Sequence, residues 1–347
     1  MESTTRNRMD EAHPYDTIDV TSIDWWDVTM LSPSTVGTWV LYLHQKECPA
    51  ANDLLDFISP TGEITLLADM TSFTGTRHIE WEALAESDLP CILMDIVSEL
   101  DMFSDRQGAF KSISYSSRIL DLLSHFLITL RNWPDADMAK VTHVIRGLVG
   151  RMDRFCKAMW TNRHLIHTTS PSCAKSSAMF TKGCHIAIAV LVQWHMTELN
   201  QAAPLSTLAA HFSLYQWIYD AGEHFSKMPI PSHINQMLAA SEAAKVHALF
   251  REVVDGDPSR HLPDMLTKID GFLRDDQVSA DEARTIGYIC FNMLFYNKDR
   301  LSAIACGTSQ MPLRLIPSLF QRCHMFICGS PTEKGSETVQ MLLQTMV

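Results

Sequence analysis

Helical periodicity dominates this 347-residue chain from about Trp81 onward, and it constrains the fold more than any other feature of the sequence. Apolar residues recur there every three or four positions, which is the spacing of one face of an α-helix. No sustained alternation of apolar and polar residues, the pattern of a half-buried strand, interrupts this periodicity. We therefore predict an all-α fold built as a single large helical bundle. The predicted helices are 81–106, 111–132, 135–165, 175–199, 204–226, 233–253, 261–274, 280–300 and 311–327.

Local signals support several of these helix boundaries. Pro134 ends one helix, because proline lacks the amide hydrogen, and Asp135 can cap the next one. Ser279 and Glu282 have the spacing of a capping box at the start of helix 280–300. Many helices are apolar on more than one face, which is typical of helices surrounded by others. A bundle of this kind can enclose an apolar pocket between its helices.

The N-terminal part of the chain has a different pattern. Residues 1–20 are polar and acidic, which predicts a flexible tail. Residues 21–75 mix tryptophans with turn signals, and we predict a segment that packs on the bundle. Within it, the stretch 37–43 fits either a short strand or a helix. Residues 76–347 form the predicted α-helical domain.

Composition excludes several classes of protein. Hydrophobic residues are 46% and charged residues 20%, so a sizeable core can form. The net charge is −12 and no basic patch is present, which argues against nucleic acid as a partner. The longest apolar run is too short to span a bilayer, and the nine scattered cysteines are typical of reduced thiols. We expect a cytoplasmic protein without a membrane span, and the sequence is compatible with a homodimer.

An acidic cluster lies in the first predicted helix of the bundle. Asp95 and Glu99 are one helical turn apart, and so are Asp101 and Asp105. Carboxylate pairs at this spacing can share Mg²⁺, which binds one or two protein carboxylates together with substrate phosphate oxygens. We predict these four residues as metal ligands. The alternative is a solvated helix face, with Asp95 capping a helix or pairing with a cation.

A basic and polar segment follows at 146–167. Near its end, Trp160, Asn162 and Arg163 offer an aromatic ring, an amide and a guanidinium. Arginine suits phosphate recognition because its planar guanidinium can donate two parallel hydrogen bonds. We predict that these residues bind an anionic substrate, together with Lys182 further along the chain. The alternative is again a solvated face, which explains most such charge runs.

The late helix 280–300 carries the most specific pattern. Phe291, Leu294 and Lys298 lie on one helical face, so an apolar stripe ends in a cation. Asn297 and Arg300 flank that lysine. This arrangement suits a substrate with an apolar body and an anionic head. The alternative is a core helix whose last turn carries a solvated lysine, which also suits the helix dipole.

Motifs of several common enzyme classes are missing from the sequence. There is no P-loop, no dinucleotide-binding glycine pattern, no nucleophile elbow, no HExxH and no kinase signature. An all-helical chain also disfavours most α/β enzyme folds.

The chain resembles terpene cyclases in its size, its helical character and its acidic helix near residue 100. It departs from conventional class I cyclases, because it has no DDxxD motif. Asp101 and Ser104 imitate part of their second metal-binding motif, but Gly108 stands where its glutamate should be. The chain is more similar to the atypical fungal humulene synthases of tropolone sesquiterpenoid pathways. Leu294 and Lys298, four apart on the late helix, fit the arrangement of that group.

This resemblance implies a class I terpene-cyclase-like fold with 76–347 as the catalytic domain. It also implies a sesquiterpene cyclase that uses Mg²⁺ to ionise farnesyl diphosphate, closes a 1,11-ring and loses a proton to give humulene. Lys298 would bind the diphosphate, Leu294 would steer the double-bond geometry, and aromatic side chains such as Phe291 would enclose the cation. The competing interpretation is a helical interaction scaffold, such as the regulatory region of a fungal transcription factor.

Overall fold

The computed structural model describes residues 32–59, 81–99, 113–164, 174–200, 202–219, 234, 237–238 and 241–253. Every regular element in these ranges is helical, which confirms the all-α class for them. The α-helices are α1 (Pro33–Gln45), α2 (Ala50–Ile58), α3 (Trp81–Glu86), α4 (Leu89–Val97), α5 (Ile113–Arg131), α6 (Met138–Thr161), α7 (Ala174–Leu199), α8 (Ala209–Tyr219) and α9 (Ala243–Val253). Single 3₁₀ turns at Asp135–Asp137 and Leu205–Thr207 precede α6 and α8.

The helix boundaries differ from the predicted ones, most clearly at two places. The predicted helix 81–106 is broken between α3 and α4, where the Ser87 hydroxyl accepts a hydrogen bond from the Leu89 amide at 3.2 Å. Pro90 then lies in the first turn of α4, a position that tolerates proline. The predicted helix 204–226 instead begins α8 at Ala209, because Leu208 adopts a left-handed φ of 62°. The ambiguous stretch 37–43 is helical and belongs to α1.

One continuous hydrophobic core draws buried side chains from all nine described helices. α5 and α7 share the most extensive interface among them. Helix α4 lies against α5 and α6, and α8 packs on α6, α7 and α9. This arrangement places the C-terminal end of α6 beside α8, where the polar residues of the candidate site meet. The described core aromatics that are fully buried are Tyr115, Phe126, Phe155, Phe180, Phe212 and Phe250.

The segment that contains α1 and α2 lies against the helices that follow. α1 packs on α4, and α2 packs on α5. The Arg118 guanidinium of α5 pairs with the Asp56 carboxylate of α2 at 3.0 Å and donates to the Asn52 amide oxygen at 3.3 Å. Both the apolar contacts and this ion pair attach the early helices to the core. The domain bounds themselves stay predictions.

The predictions about the cysteines and about membrane spans can also be compared with the described residues. Cys48, Cys91, Cys156 and Cys184 are free thiols and are buried. Burial raises the pKa of the Cys91 thiol to about 11, so it stays protonated at neutral pH. Among the helices that the structure describes, none combines the length and the apolar character that a membrane crossing requires.

The close approach of α5 and α7 depends on Gly183. A Cβ at this position would lie 2.8 Å from Leu120 Cγ, the branch point of a fully buried side chain. The Ser124 hydroxyl lies 3.2 Å from the Gly183 carbonyl oxygen and 2.7 Å from that of Leu120, so this contact is also polar. The glycine is needed here because it lets the α7 backbone approach the Leu120 and Ser124 side chains of α5.

We predict that Gly183→Ala destabilises the fold by about 1–3 kcal/mol, because the added methyl group overpacks the interface and pushes α5 and α7 apart. Gly150→Ala is the matched control: no described atom lies within 4 Å of its added methyl group. That variant should gain about 0.5–1 kcal/mol, the usual benefit of alanine over glycine in a helix. Urea unfolding of both variants measures the difference, and equal stabilities would contradict this account of the interface.

Candidate functional site

Five side chains from the end of α6 and from α8 form what we call the Arg163 cluster: Trp160, Arg163, His164, His211 and Tyr215. The guanidinium carbon of Arg163 lies 4.0 Å from the centre of the Trp160 ring and 5.6 Å from that of Tyr215. One guanidinium nitrogen donates to the Trp160 carbonyl oxygen at 2.9 Å. The cation is therefore fixed both by an aromatic face and by the backbone.

The sequence around Asn162 explains why the chain turns here. The Asn162 backbone amide donates to the Ala158 carbonyl oxygen at 3.1 Å, and its side-chain amide donates to the same oxygen at 2.9 Å. The first is the last hydrogen bond of the helical ladder, and the second gives the buried side-chain amide of Asn162 a partner. Asn162 is buried and ends the helix, so Arg163 follows one turn after Trp160 and folds back over its ring.

Helix α8 supplies the other wall of the cluster. The Tyr215 hydroxyl and His164 Nδ1 share a hydrogen bond of 3.2 Å. The Tyr215 ring meets Trp160 edge-on, with centroids 5.9 Å apart and planes at 87°. His211, one turn earlier in α8, also meets Trp160, at 5.4 Å and 68°. Edge-to-face geometry is favourable for such rings and fixes their relative orientation.

His211 is a buried titratable side chain of the cluster, with 6% of its surface exposed. Burial, and then the nearby charge of Arg163, lower its pKa to about 4. Its Nε2 atom lies 3.5 Å from Glu252 Oε2 in α9, but that carboxylate is half exposed and does not offset the burial. Nδ1 is buried and has no hydrogen-bond partner among the described residues.

The Arg163 cluster combines chemistry for an anion with chemistry for a cation. A planar guanidinium can donate parallel hydrogen bonds to phosphate oxygens. The faces of Trp160 and Tyr215 carry negative charge density that attracts cations. The described structure thus brings the predicted residues Trp160 and Arg163 together. It gives the predicted Asn162 a backbone partner instead, and it leaves Lys182 exposed on α7.

The two described members of the acidic cluster have different partners. Asp95 Oδ2 pairs with Arg151 Nε at 2.9 Å, and its Oδ1 pairs with Arg154 at 3.3 Å. Glu99 Oε2 lies 3.2 Å from His44 Nε2. No group of three or more potential metal ligands occurs among the residues that the structure describes. The magnesium site stays a prediction, and Asp95 would have to release two arginines to join it.

A buried chain of polar groups continues from Glu99 into the core. His44 Nδ1 shares a hydrogen bond of 3.2 Å with the Tyr115 hydroxyl, and the two rings are nearly parallel. Burial, and then the charge of Glu99, raise the pKa of Tyr115 well above its ordinary value. The phenol is therefore neutral, and these groups join α1, the end of α4 and the start of α5.

Several predicted site residues lie outside the described ranges. These are Asp101, Asp105, Phe291, Leu294, Asn297, Lys298 and Arg300. Conversely, His211, Tyr215 and Glu252 are site residues that the sequence did not predict. A histidine and a tyrosine one turn apart in a mostly apolar helix were the available signal for the first two. No local signal marked Glu252, since its contact with His211 is tertiary.

Comparison with known proteins assigns no function to these clusters. No protein-family model, no curated protein and no solved structure matches the chain. The clusters are therefore interpreted from their own geometry.

The lowered pKa of His211 predicts a specific pH dependence of stability. The unfolded histidine binds a proton near its ordinary pKa of 6.5, whereas the folded one does so near 4. Between these values the unfolded state binds more protons, so stability falls as the pH falls, by at most about 1.4 kcal/mol per pH unit. We expect His211→Gln to remove this part of the slope in urea unfolding between about pH 7 and about pH 5.

His143→Gln provides the control for that measurement. His143 is exposed on α6, and its Nδ1 lies 3.0 Å from the Lys140 carbonyl oxygen. This variant should keep the slope of the wild-type protein. A His211→Gln variant with an unchanged slope would show that His211 does not lose its proton on folding.

Proposed function

We propose that the protein is a sesquiterpene cyclase that converts farnesyl diphosphate into humulene with the help of Mg²⁺. The observation that carries this proposal is the guanidinium of Arg163, which lies 4.0 Å above Trp160 and beside Tyr215. The substrate has a diphosphate head and an apolar tail, and its carbon skeleton becomes cationic when the head leaves. A site for it needs an anion-binding donor next to aromatic faces, and this cluster offers both.

The reaction begins with cleavage of the bond between carbon and diphosphate oxygen. The departing diphosphate keeps the electron pair, and Arg163 would stabilise its growing charge through hydrogen bonds that are already oriented. The allyl cation left behind would face Trp160 and Tyr215. Ring closure between the chain ends and loss of a proton then give the hydrocarbon. Apolar surroundings exclude water, which would otherwise capture the cation.

We include Mg²⁺ in this proposal for two reasons. The resemblance to fungal humulene synthases implies it, and the chain has carboxylates that could hold it. When bound, Mg²⁺ would neutralise charge on the diphosphate. Its proposed ligands are Glu99, Asp101 and Asp105, with Asp95 if the pairs with Arg151 and Arg154 open. Carboxylate oxygens suit this hard cation.

The late helix contributes the second part of the proposed site. Lys298, with Asn297 and Arg300, would bind the diphosphate together with Arg163. Phe291 and Leu294 would line an apolar pocket in a class I cyclase-like bundle. These residues lie outside the described ranges, so their role rests on the sequence pattern.

Incubation of the purified protein with farnesyl diphosphate tests the proposal, with gas chromatography–mass spectrometry of the organic extract. We expect a sesquiterpene hydrocarbon in Mg²⁺ and none in EDTA. Arg163→Lys keeps the charge but loses the planar, stacked donors, so kcat/KM should fall by about 10–100-fold. Arg146→Lys is the matched control, because Arg146 is exposed on α6 and pairs with Glu198.

The absence of any product would contradict the proposal. A folded wild-type protein that yields no product from farnesyl diphosphate, or from shorter and longer prenyl diphosphates, would overturn the cyclase proposal. The helical interaction scaffold would then be the better interpretation. If kcat/KM falls equally in Arg163→Lys and Arg146→Lys, the Arg163 cluster is not part of the active site, although the protein can still be a cyclase.

A further inference from the structure

A buried nitrogen atom of His211 has no partner among the residues that the structure describes. This atom, Nδ1, is shielded from solvent, and the residue is 6% exposed. A buried hydrogen-bonding atom without a partner costs about 1–3 kcal/mol, so proteins rarely keep one without a reason. The other ring nitrogen, Nε2, lies 3.5 Å from the Glu252 carboxylate.

The position of Glu252 determines which nitrogen holds the proton. A neutral imidazole has one N–H group, and a carboxylate close to Nε2 favours the proton on that atom. Nδ1 then keeps an available lone pair. The burial of the ring, and then the nearby charge of Arg163, disfavour the doubly protonated form. The imidazole is therefore neutral at physiological pH, with its free lone pair on Nδ1.

The location of His211 matters as much as its protonation. The centroids of the His211 and Trp160 rings are 5.4 Å apart in an edge-to-face arrangement. The Arg163 guanidinium in turn stacks on the Trp160 ring. The unprotonated nitrogen thus belongs to a residue one aromatic ring away from the proposed anion-binding group. A cation formed next to Trp160 would lie within the same small region.

We propose that His211 Nδ1 is the general base that ends the cyclisation, an inference that rests on the proposed function. The C–H bond on the carbon next to the cationic centre breaks, and its electron pair becomes the new C=C bond. The proton moves to Nδ1 and gives an imidazolium whose charge Glu252 partly balances. The imidazolium returns this proton to solvent when the product leaves. Glu252 is a positioning residue in this scheme.

His211→Gln tests the inference. Glutamine can still donate to Glu252, but it has no basic nitrogen. Because ionisation precedes proton loss, the rate of diphosphate release should stay within about threefold of the wild-type rate. The ratio of hydrocarbon to water-captured alcohol should fall about tenfold or more, since a general base typically contributes about 10²–10⁴-fold. His143→Gln, on the exposed face of α6, should leave both quantities unchanged.

Glu252 gives a second test that does not depend on a core substitution. Glu252→Ala should lower the hydrocarbon-to-alcohol ratio with an unchanged melting temperature and unchanged diphosphate release. Glu252→Gln still accepts a hydrogen bond from Nε2–H but carries no charge, so it should restore only part of the ratio. If His211→Gln does not fold, this pair of variants decides the matter.

The outcomes separate this inference from the function on which it rests. A wild-type protein that releases no diphosphate overturns both. Diphosphate release with the same products from wild type, His211→Gln and Glu252→Ala overturns the base alone, and His211 then only fills space in the core.

Discussion

The contact between the Arg163 guanidinium and the Trp160 ring is the interaction on which the rest of the candidate site depends. It exists because α6 ends at Asn162, whose backbone and side-chain amides both donate to the Ala158 carbonyl. The end of α6 at Asn162 lets the Arg163 guanidinium fold back over the ring of Trp160, three residues earlier in the chain. Tyr215 and His211 then pack against the same ring from α8. One helix end thereby assembles a cation, two aromatic faces and a neutral imidazole.

The packing of the helices holds this polar group inside an apolar protein. α7 lies between α5 and α8, and its residues touch both: Gly183 meets Leu120, and the Thr181 carbonyl accepts from Gln216 at 3.3 Å. The long interface with α5 fixes α7, which in turn supports α8 and its rings. Burial on α8 lowers the pKa of His211, because a charged imidazole would lose its hydration. Structure and electrostatics are therefore coupled through α8.

Sequence reasoning predicted the helical class because apolar periodicity is local, and it selected Trp160 and Arg163 because they are neighbours in the chain. It did not anticipate the break at Ser87, where a single hydroxyl bond and a following proline outweigh the apolar pattern. Helical spacing predicted that Asp95 and Glu99 act as a pair. In the structure, tertiary contacts instead pair Asp95 with arginine and Glu99 with His44. The contact between His211 and Glu252 was equally invisible, because only the packing of α8 on α9 creates it.

The most direct measurement is calorimetric titration of inorganic diphosphate, with Mg²⁺, into the wild-type protein and into Arg163→Lys and Arg146→Lys. We expect the wild-type protein and Arg146→Lys to bind diphosphate with similar affinity. Arg163→Lys should bind about tenfold more weakly, which corresponds to about 1.4 kcal/mol. Equal binding by all three proteins would contradict the claim that the Arg163 cluster holds the anionic head of the substrate.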